Sequence, residues 1–177
     1  MQDYCGKKLA KIKAKPKLKD YVLVVTCVVI RKVRGKGPKV LIIKRSMREK
    51  EGPGLWGIPG GRITPADWIK LDSEGLSHEL WVGALKRACC RELKEETSLM
   101  APVLNLLVGE ERLFFRKSGE PSVFFTFWTQ KTQWGKVCLD KGGLVYKWIS
   151  PKDLEKYSFI GDVKNIIKIA LNFAAMA

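Results

Sequence analysis

Three glutamates fall within five residues in the segment ALKRACCRELKEETSL, Ala84 to Leu99: Glu92, Glu95 and Glu96. On a helix of about 3.6 residues per turn, Glu95 and Glu96 flank Glu92, so all three leave on one side. Leu85, Ala88 and Cys89 fall on that same side in the preceding turns, while Lys86, Arg87, Arg91 and Lys94 fall on the other. The stripe that should meet a core therefore runs straight into carboxylates. Like charges at i,i+3 and i,i+4 each cost about 0.2–0.5 kcal/mol even when exposed. Partial burial adds to that cost and pushes carboxylate pKa values up. A divalent cation reverses the sign of the effect. Oxygen donors with no histidine or cysteine among them point to Mg2+ or Mn2+ rather than zinc. The lone histidine, His78, precedes the cluster and does not change the donor set. The competing arrangement is a solvated last turn from which only Glu92 points inward.

The rest of the chain must place this helix. At 177 residues it has the length of one domain with a substantial core. Five cysteines show no CxxC pair and no metal-ligand spacing, the pattern of a reducing compartment in which thiols act as small core residues. The run YVLVVTCVVI, Tyr21 to Ile30, is too short to span a bilayer. It is rich in valine and reads as a buried strand, so a cytoplasmic location and no membrane partner are expected. The formal net charge is +15, and seven lysines stand in KKLAKIKAKPKLKD near the N-terminus. Such a charge favours polyanions: nucleotides, nucleic acid or an acidic surface.

Residues 1–19 form a basic arm and residues 20–177 a single domain. Val22–Ile30 and Lys39–Lys44 read as a hairpin across RKVRGKGP. RSMREKEGPGLWGIPGGRITP is a Gly/Pro-rich loop, and ADWIKLDSEGLSHEL an ordered excursion. The acidic helix starts near Ser77 or Leu80 and ends at Thr97, with Ser77 as N-cap. Strands are expected near Asn105–Gly109, Arg112–Arg116, Ser122–Gln130 and Val145–Ile149, with Phe114, Phe124, Phe125, Phe127 and Trp128 as core residues. Ser150-Pro151 opens a helix, and Asp162–Phe173 forms a last amphipathic one. Interleaved strands and helices make this an α/β (α+β) domain with helices packed on a sheet.

GPGLWGIPGGRI, Gly52 to Ile63, followed by RELKEETSL, resembles the Nudix hydrolase family. Its box reads G, five residues, E, seven residues, R-E-U-x-E-E-x-G-U, with U a bulky aliphatic. Arg91 to Glu96 match the R-E-U-x-E-E core, Leu99 fills the last aliphatic position, and Gly61 resembles the opening glycine. The resemblance covers about residues 20–173. Four departures stand out. Counting back from Arg91, 21 residues replace the family's five, an insertion of 16 at about 64–79 that could form a lid beside the pocket. The family's early glutamate then falls on Gly83, and its last glycine on Ser98. No carboxylate directly precedes Trp148, as it does in many relatives.

The resemblance implies an α/β/α sandwich with a mixed sheet, and hydrolysis of a nucleoside diphosphate linked to another moiety by attack of water on phosphorus. It implies catalysis through Glu95, Glu96 and Arg91, the arginine orienting a motif glutamate. Glu92, Glu95, Glu96 and Gly61 would hold Mg2+ or Mn2+. Gly60, Lys44 and Arg45 would contact substrate, while Asp140, Glu110, Glu111 and Glu96 itself are candidates for the general base. The leading substrate is a nucleoside triphosphate or related nucleotide. Capped or triphosphate-ended RNA, reached through the basic arm, is the first alternative, and a nucleotide- or nucleic-acid-binding module without turnover the second. Family members are often homodimers, so a dimer is a further expectation.

Overall fold

The computed structural model describes residues 21–35, 37–71, 80–130, 132, 137–139 and 145–177. The expected N-cap Ser77, His78 and Asp140 lie outside the described residues, as do the basic arm and most of the excursion after Asp67.

The apolar run becomes β1, Val22–Val33, and its near-continuous hydrophobicity has a simple cause. Both faces of the strand are covered, so both parities must be apolar. Val25, Cys27 and Val29 point to one face, and Val28 and Ile30 to the other. Strands β2 (Gly37–Lys44), β9 (Pro121–Thr129) and β10 (Val145–Ile149) extend the sheet in the order β10-β2-β1-β9. β9 runs parallel to β1 and the other pairs are antiparallel, so the sheet is mixed. Short strands β7 (Asn105–Leu106) and β8 (Arg112–Phe115) both pair with the outer side of β9.

Helix α1, Ala84–Thr97, covers one face through Ala88, Cys89 and Leu93. Helix α2, Val163–Met176, covers the other through Ile166, Ile167, Ala170 and Ala174. The result is the expected α/β/α sandwich with two apolar layers. Cys27 and Cys89 are free thiols buried in the α1 layer, filling space as small core residues. Their mutual contact and burial hold the Cys27 thiol well above its ordinary pKa, which makes it inert.

Beside β1 the sheet forks. β2 pairs with it only over Ile30–Val33, and β4 (Gly60–Arg62) takes over the same side along Val24–Thr26. Between them the backbone is stitched by Cys27 N donating to Pro59 O at 2.8 Å and Arg45 N to Leu55 O at 2.9 Å. β3 (Trp56–Gly57) pairs with Ile43 and Lys44 at the end of β2. The Gly/Pro-rich loop is thus pinned at both ends.

Three expectations need correction. The acidic helix starts at Ala84, and Leu80–Val82 is strand β6, paired with β5 (Ile69–Leu71). Gly83, in the left-handed conformation, separates that strand from the helix. The segment after Ser150 is a 3-10 helix, Pro151–Lys156, capped by the Ser150 hydroxyl accepting from Lys152 N. Phe114 is not a core residue: it is 39% exposed, because β8 lies at the margin of the sheet.

Ser98 ends α1 at φ 59°, the one non-glycine residue described with positive φ. A side chain in that left-handed conformation costs about 1–2 kcal/mol. Ser98→Gly is therefore expected to stabilise the fold by about 1 kcal/mol, and Ser98→Ala to give no gain. Urea denaturation of the two variants checks this; equal midpoints for both would contradict it.

Candidate active site

The fork brings the glycine loop against the acidic helix. Gly60 N donates to Glu96 Oε2 at 2.9 Å. A Cβ on Gly61 would coincide with the Glu92 carboxylate, and one on Gly60 would collide with the Val25 carbonyl and Thr26. Both positions need glycine because three pieces of chain meet there at van der Waals limits. Burial raises the Glu96 carboxyl to about 7, the Gly60 N–H partly offsetting the rise and neighbouring Glu92 adding to it. Arg45 lies close enough to favour the charged form, and Glu49 close enough to oppose it.

Arg91 organises the other carboxylates. Its Nε and Nη2 donate to the two oxygens of Asp67 at 2.9 Å each, a two-pronged pairing. Nη1 reaches Glu92 Oε1 at 2.7 Å and Glu95 Oε2 at 3.0 Å, and Nη2 also donates to Arg62 O at 2.9 Å. On the helical wheel Arg91 belongs to the solvated side, but its long stem folds back across the glutamates and leaves it only 25% exposed. Asp67, 3% exposed, also accepts from Thr64 N at 2.8 Å and from Thr64 Oγ1 at 3.0 Å. With Arg91 as the main cause, these bonds hold its carboxyl down at about 2.

Asp67 is the functional residue that counting back from Arg91 misses. Counted forward, it stands six residues after Gly61, the place of the family's early glutamate, one methylene shorter. The extra chain therefore enters after Asp67 rather than before it, and Gly83 is the turn preceding the helix. Arg87 ties the two ends of that extra chain together: its Nε donates to Asp67 O at 2.7 Å and its Nη2 to Val82 O.

Arg45 lies at the site, held by Glu49 at 2.9 Å and by the Glu51 carbonyl at 2.9 Å. Lys44 ends β2 opposite Trp56. Trp56 packs edge-on against Tyr157 with centroids 5.2 Å apart, so it supports the loop from the α2 side. Glu110 is not brought to the glutamates. It pairs at 2.6 Å with Arg112, which also reaches Asp162 at the start of α2, across the sheet from α1. Glu111, its chain neighbour, is exposed.

A model of the NUDIX domain matches residues 20–168. The chain belongs to the NUDIX family. The R-E-U-x-E-E core of that family is intact in this Nudix chain at Arg91 to Glu96. Its fold is similar to the NUDIX domain of Shewanella oneidensis NrtR complexed with ADP ribose (TM-score 0.66, 21% identity, 87% of this chain and 88% of that one). It is similar to a C. elegans Ap4A hydrolase (TM-score 0.59, 22% identity, 88% and 96%). It also resembles a MutT protein from Methanosarcina mazei Go1 (TM-score 0.59, 19% identity, 88% and 94%). A search of curated protein sequences found no match.

Nudix hydrolases generally use divalent metals, and the donors here suit one: carboxylate oxygens at a backbone too close-packed for any side chain but hydrogen. Among the described residues no three acidic, histidine or cysteine side chains converge as a ready-made cage. Arg91 occupies one oxygen of Glu92 and one of Glu95, which leaves the second oxygen of each carboxylate for a cation.

The two shifted carboxyls give stability a defined pH dependence. Asp67 contributes stability above its ordinary 3.8 that is lost as pH falls through about 2. Glu96 binds its proton more tightly folded than unfolded, so metal-free stability declines as pH rises from 4.5 through about 7. In chelator the protein should be less stable at about pH 8 than at about pH 5, and Glu96→Gln should shrink that difference. Denaturation midpoints at the two pH values test this; a wild-type profile unchanged by Glu96→Gln would contradict it.

Proposed function

We propose that the protein is a divalent-metal-dependent pyrophosphohydrolase acting on a nucleoside diphosphate linked to another moiety, with a nucleoside triphosphate or related nucleotide as its substrate. The observation that carries this reading is the close packing of Glu92 and Glu96 against Gly61 and Gly60. It gathers two carboxylates, one with its pKa raised to about 7, against a single stretch of glycine backbone.

Glu92 and Glu96 would hold Mg2+ or Mn2+, with Glu95 at the exposed mouth. A bound cation supplies charge neutralisation of the pyrophosphate and a positioned water nucleophile. Everything else falls to this chain. Arg91 fixes the rotamers of Glu92 and Glu95, and Asp67 fixes Arg91. Arg45, on its tether to Glu49, offers a guanidinium to a phosphate arriving beside Glu96. A nucleotide is favoured by the basic body of the chain and by the ADP ribose and Ap4A named for proteins of similar fold.

A second reading, nucleotide binding without turnover, is favoured by one observation: Arg91 already neutralises two of the three glutamates. A nucleotide panel assayed for phosphate and pyrophosphate release, with and without Mg2+ or Mn2+, separates the two. Metal-dependent turnover is expected, falling about 100-fold or more in Glu96→Gln. Tight nucleotide binding with no release under any metal would establish the binding module. If RNA with a 5′ triphosphate is the better substrate, kcat/KM should fall steeply with salt, since phosphate contacts release counterions.

A further inference from the structure

The ladder between β1 and β2 runs on past the core. Ile30 and Val40 are its last buried pair, and three more pairs follow: Arg31 with Lys39, Lys32 with Pro38, and Val33 with Gly37. None of these six residues is buried. The flanking strands stop short of them, β10 at Ile149 opposite Val40 and β9 at Thr129 opposite Val29. The end of the hairpin is therefore a two-stranded ribbon with both edges open among the described residues.

Its charge is of one sign. From Tyr21 to Arg48 the sequence holds eight arginines and lysines and no carboxylate. Five of the eight, Arg31, Lys32, Arg34, Lys36 and Lys39, crowd into the hairpin, Lys36 lying outside the described residues. Arg31 and Lys39 stand directly opposite each other, and like charges so placed destabilise a ladder. The ion pairs among the described residues include none of Arg31, Lys32, Arg34 and Lys39. Asp153 lies within electrostatic reach of Lys39, but it is bonded to Lys156 at 2.6 Å. Arg31 rests over Trp148, its guanidinium carbon 4.8 Å from the ring centroid, which steadies that cation without neutralising it.

We propose that this ribbon is a nucleic-acid-binding surface that takes up the phosphate backbone. Alternation puts Arg31 and Lys39 on one face and Lys32 on the other, with Arg34 at the turn, so cations leave on both sides. A two-stranded ribbon is narrow enough to enter the major groove of a B-form duplex. A phosphate beside Arg31 and Lys39 offsets their repulsion, and its own counterions are released. A lipid surface is the poorer match, because the tip Arg34-Gly35-Lys36-Gly37-Pro38 carries no large apolar side chain to insert beneath headgroups. Thr26, opposite Gly60, lies seven residues before Val33, or about 23 Å along β1, which puts the ribbon clear of the glycine loop.

Fluorescence anisotropy of the full chain tests this, with a short DNA duplex and a single-stranded RNA of equal length at about 50–200 mM salt. Lys32→Gln and Arg34→Gln together remove two phosphate contacts. They should flatten the plot of log K against log salt by about 1.8 on the duplex, or by about 1.4 on the single strand. Loss on the duplex alone assigns the ribbon to a groove, and loss on both assigns it to the backbone of either. A Lys86→Gln, Lys94→Gln variant, which removes the same charge from the exposed side of α1, should keep the wild-type slope. Lys32→Arg with Arg34→Lys should also match wild type, since charge and not shape is read. Circular dichroism should be unchanged throughout, because none of these side chains is buried. Absence of binding by the wild type, or equal slopes for the hairpin and α1 variants, would overturn the proposal. So would hairpin-dependent binding to phosphatidylserine vesicles with none to either nucleic acid.

Discussion

Four carboxylates and one guanidinium set the problem this chain has to solve. Glu92, Glu95 and Glu96 repel one another along a single helical face, and Asp67 adds a fourth negative charge close by. Arg91 bonds to Asp67, Glu92 and Glu95 at once, and through Nη2 it also reaches the backbone of β4. That makes it both the electrostatic counterweight of the acidic face and the mechanical link among helix, glycine loop and the turn at Asp67. A guanidinium can do this and an ammonium cannot, since only the planar fork offers five donors in fixed directions. Because Asp67 is almost fully buried, losing Arg91 would strand its charge, a situation that costs about 3–5 kcal/mol in comparable buried pairs.

Glu96 is the exception, and the difference is functional. It receives no bond from Arg91, sits largely out of water, and keeps one backbone donor from Gly60. Its high pKa follows from that isolation. A carboxylate in this state gains most from a cation, because the cation removes both the desolvation cost and the repulsion from Glu92. The fold supports this by forking the sheet at β1. β2 leaves, β4 enters, and the glycine backbone is pressed against α1 at the one level where the apolar stripe of the helix gives way to glutamates.

Much of this was legible in the residues. The R-E-L-K-E-E pattern announced the acidic face, the double-sided apolar run announced a central strand, and Gly60-Gly61 announced close backbone approach. What was hidden was register across the extra chain. Counted from Arg91 backward, the early acidic position lands on Gly83, while counted from Gly61 forward it lands on Asp67; only the tertiary pairing decides between them. Asp67 inside TPADW reads locally as an ordinary capping residue, and it is one, since it bonds Thr64 with the same carboxylate that holds Arg91. The helix start was hidden for a related reason: Leu80–Val82 pairs with Ile69–Leu71, and pairing at that distance overrides local helical preference. The exposed position of Phe114 had no local signal either, because strand alternation says which side a residue takes and not whether anything covers it.

The central claim is that Asp67 acts on the glutamates only through Arg91. A double-mutant cycle with Asp67→Asn and Arg91→Gln, read in metal-dependent kcat/KM and in Mn2+ affinity, tests it most directly. Each single change should cost about 10–100-fold, the usual range for groups that orient metal ligands, and the double variant should be no worse than the more severe single. Losses that multiply in the double variant would show that the two residues act independently, and would contradict the account.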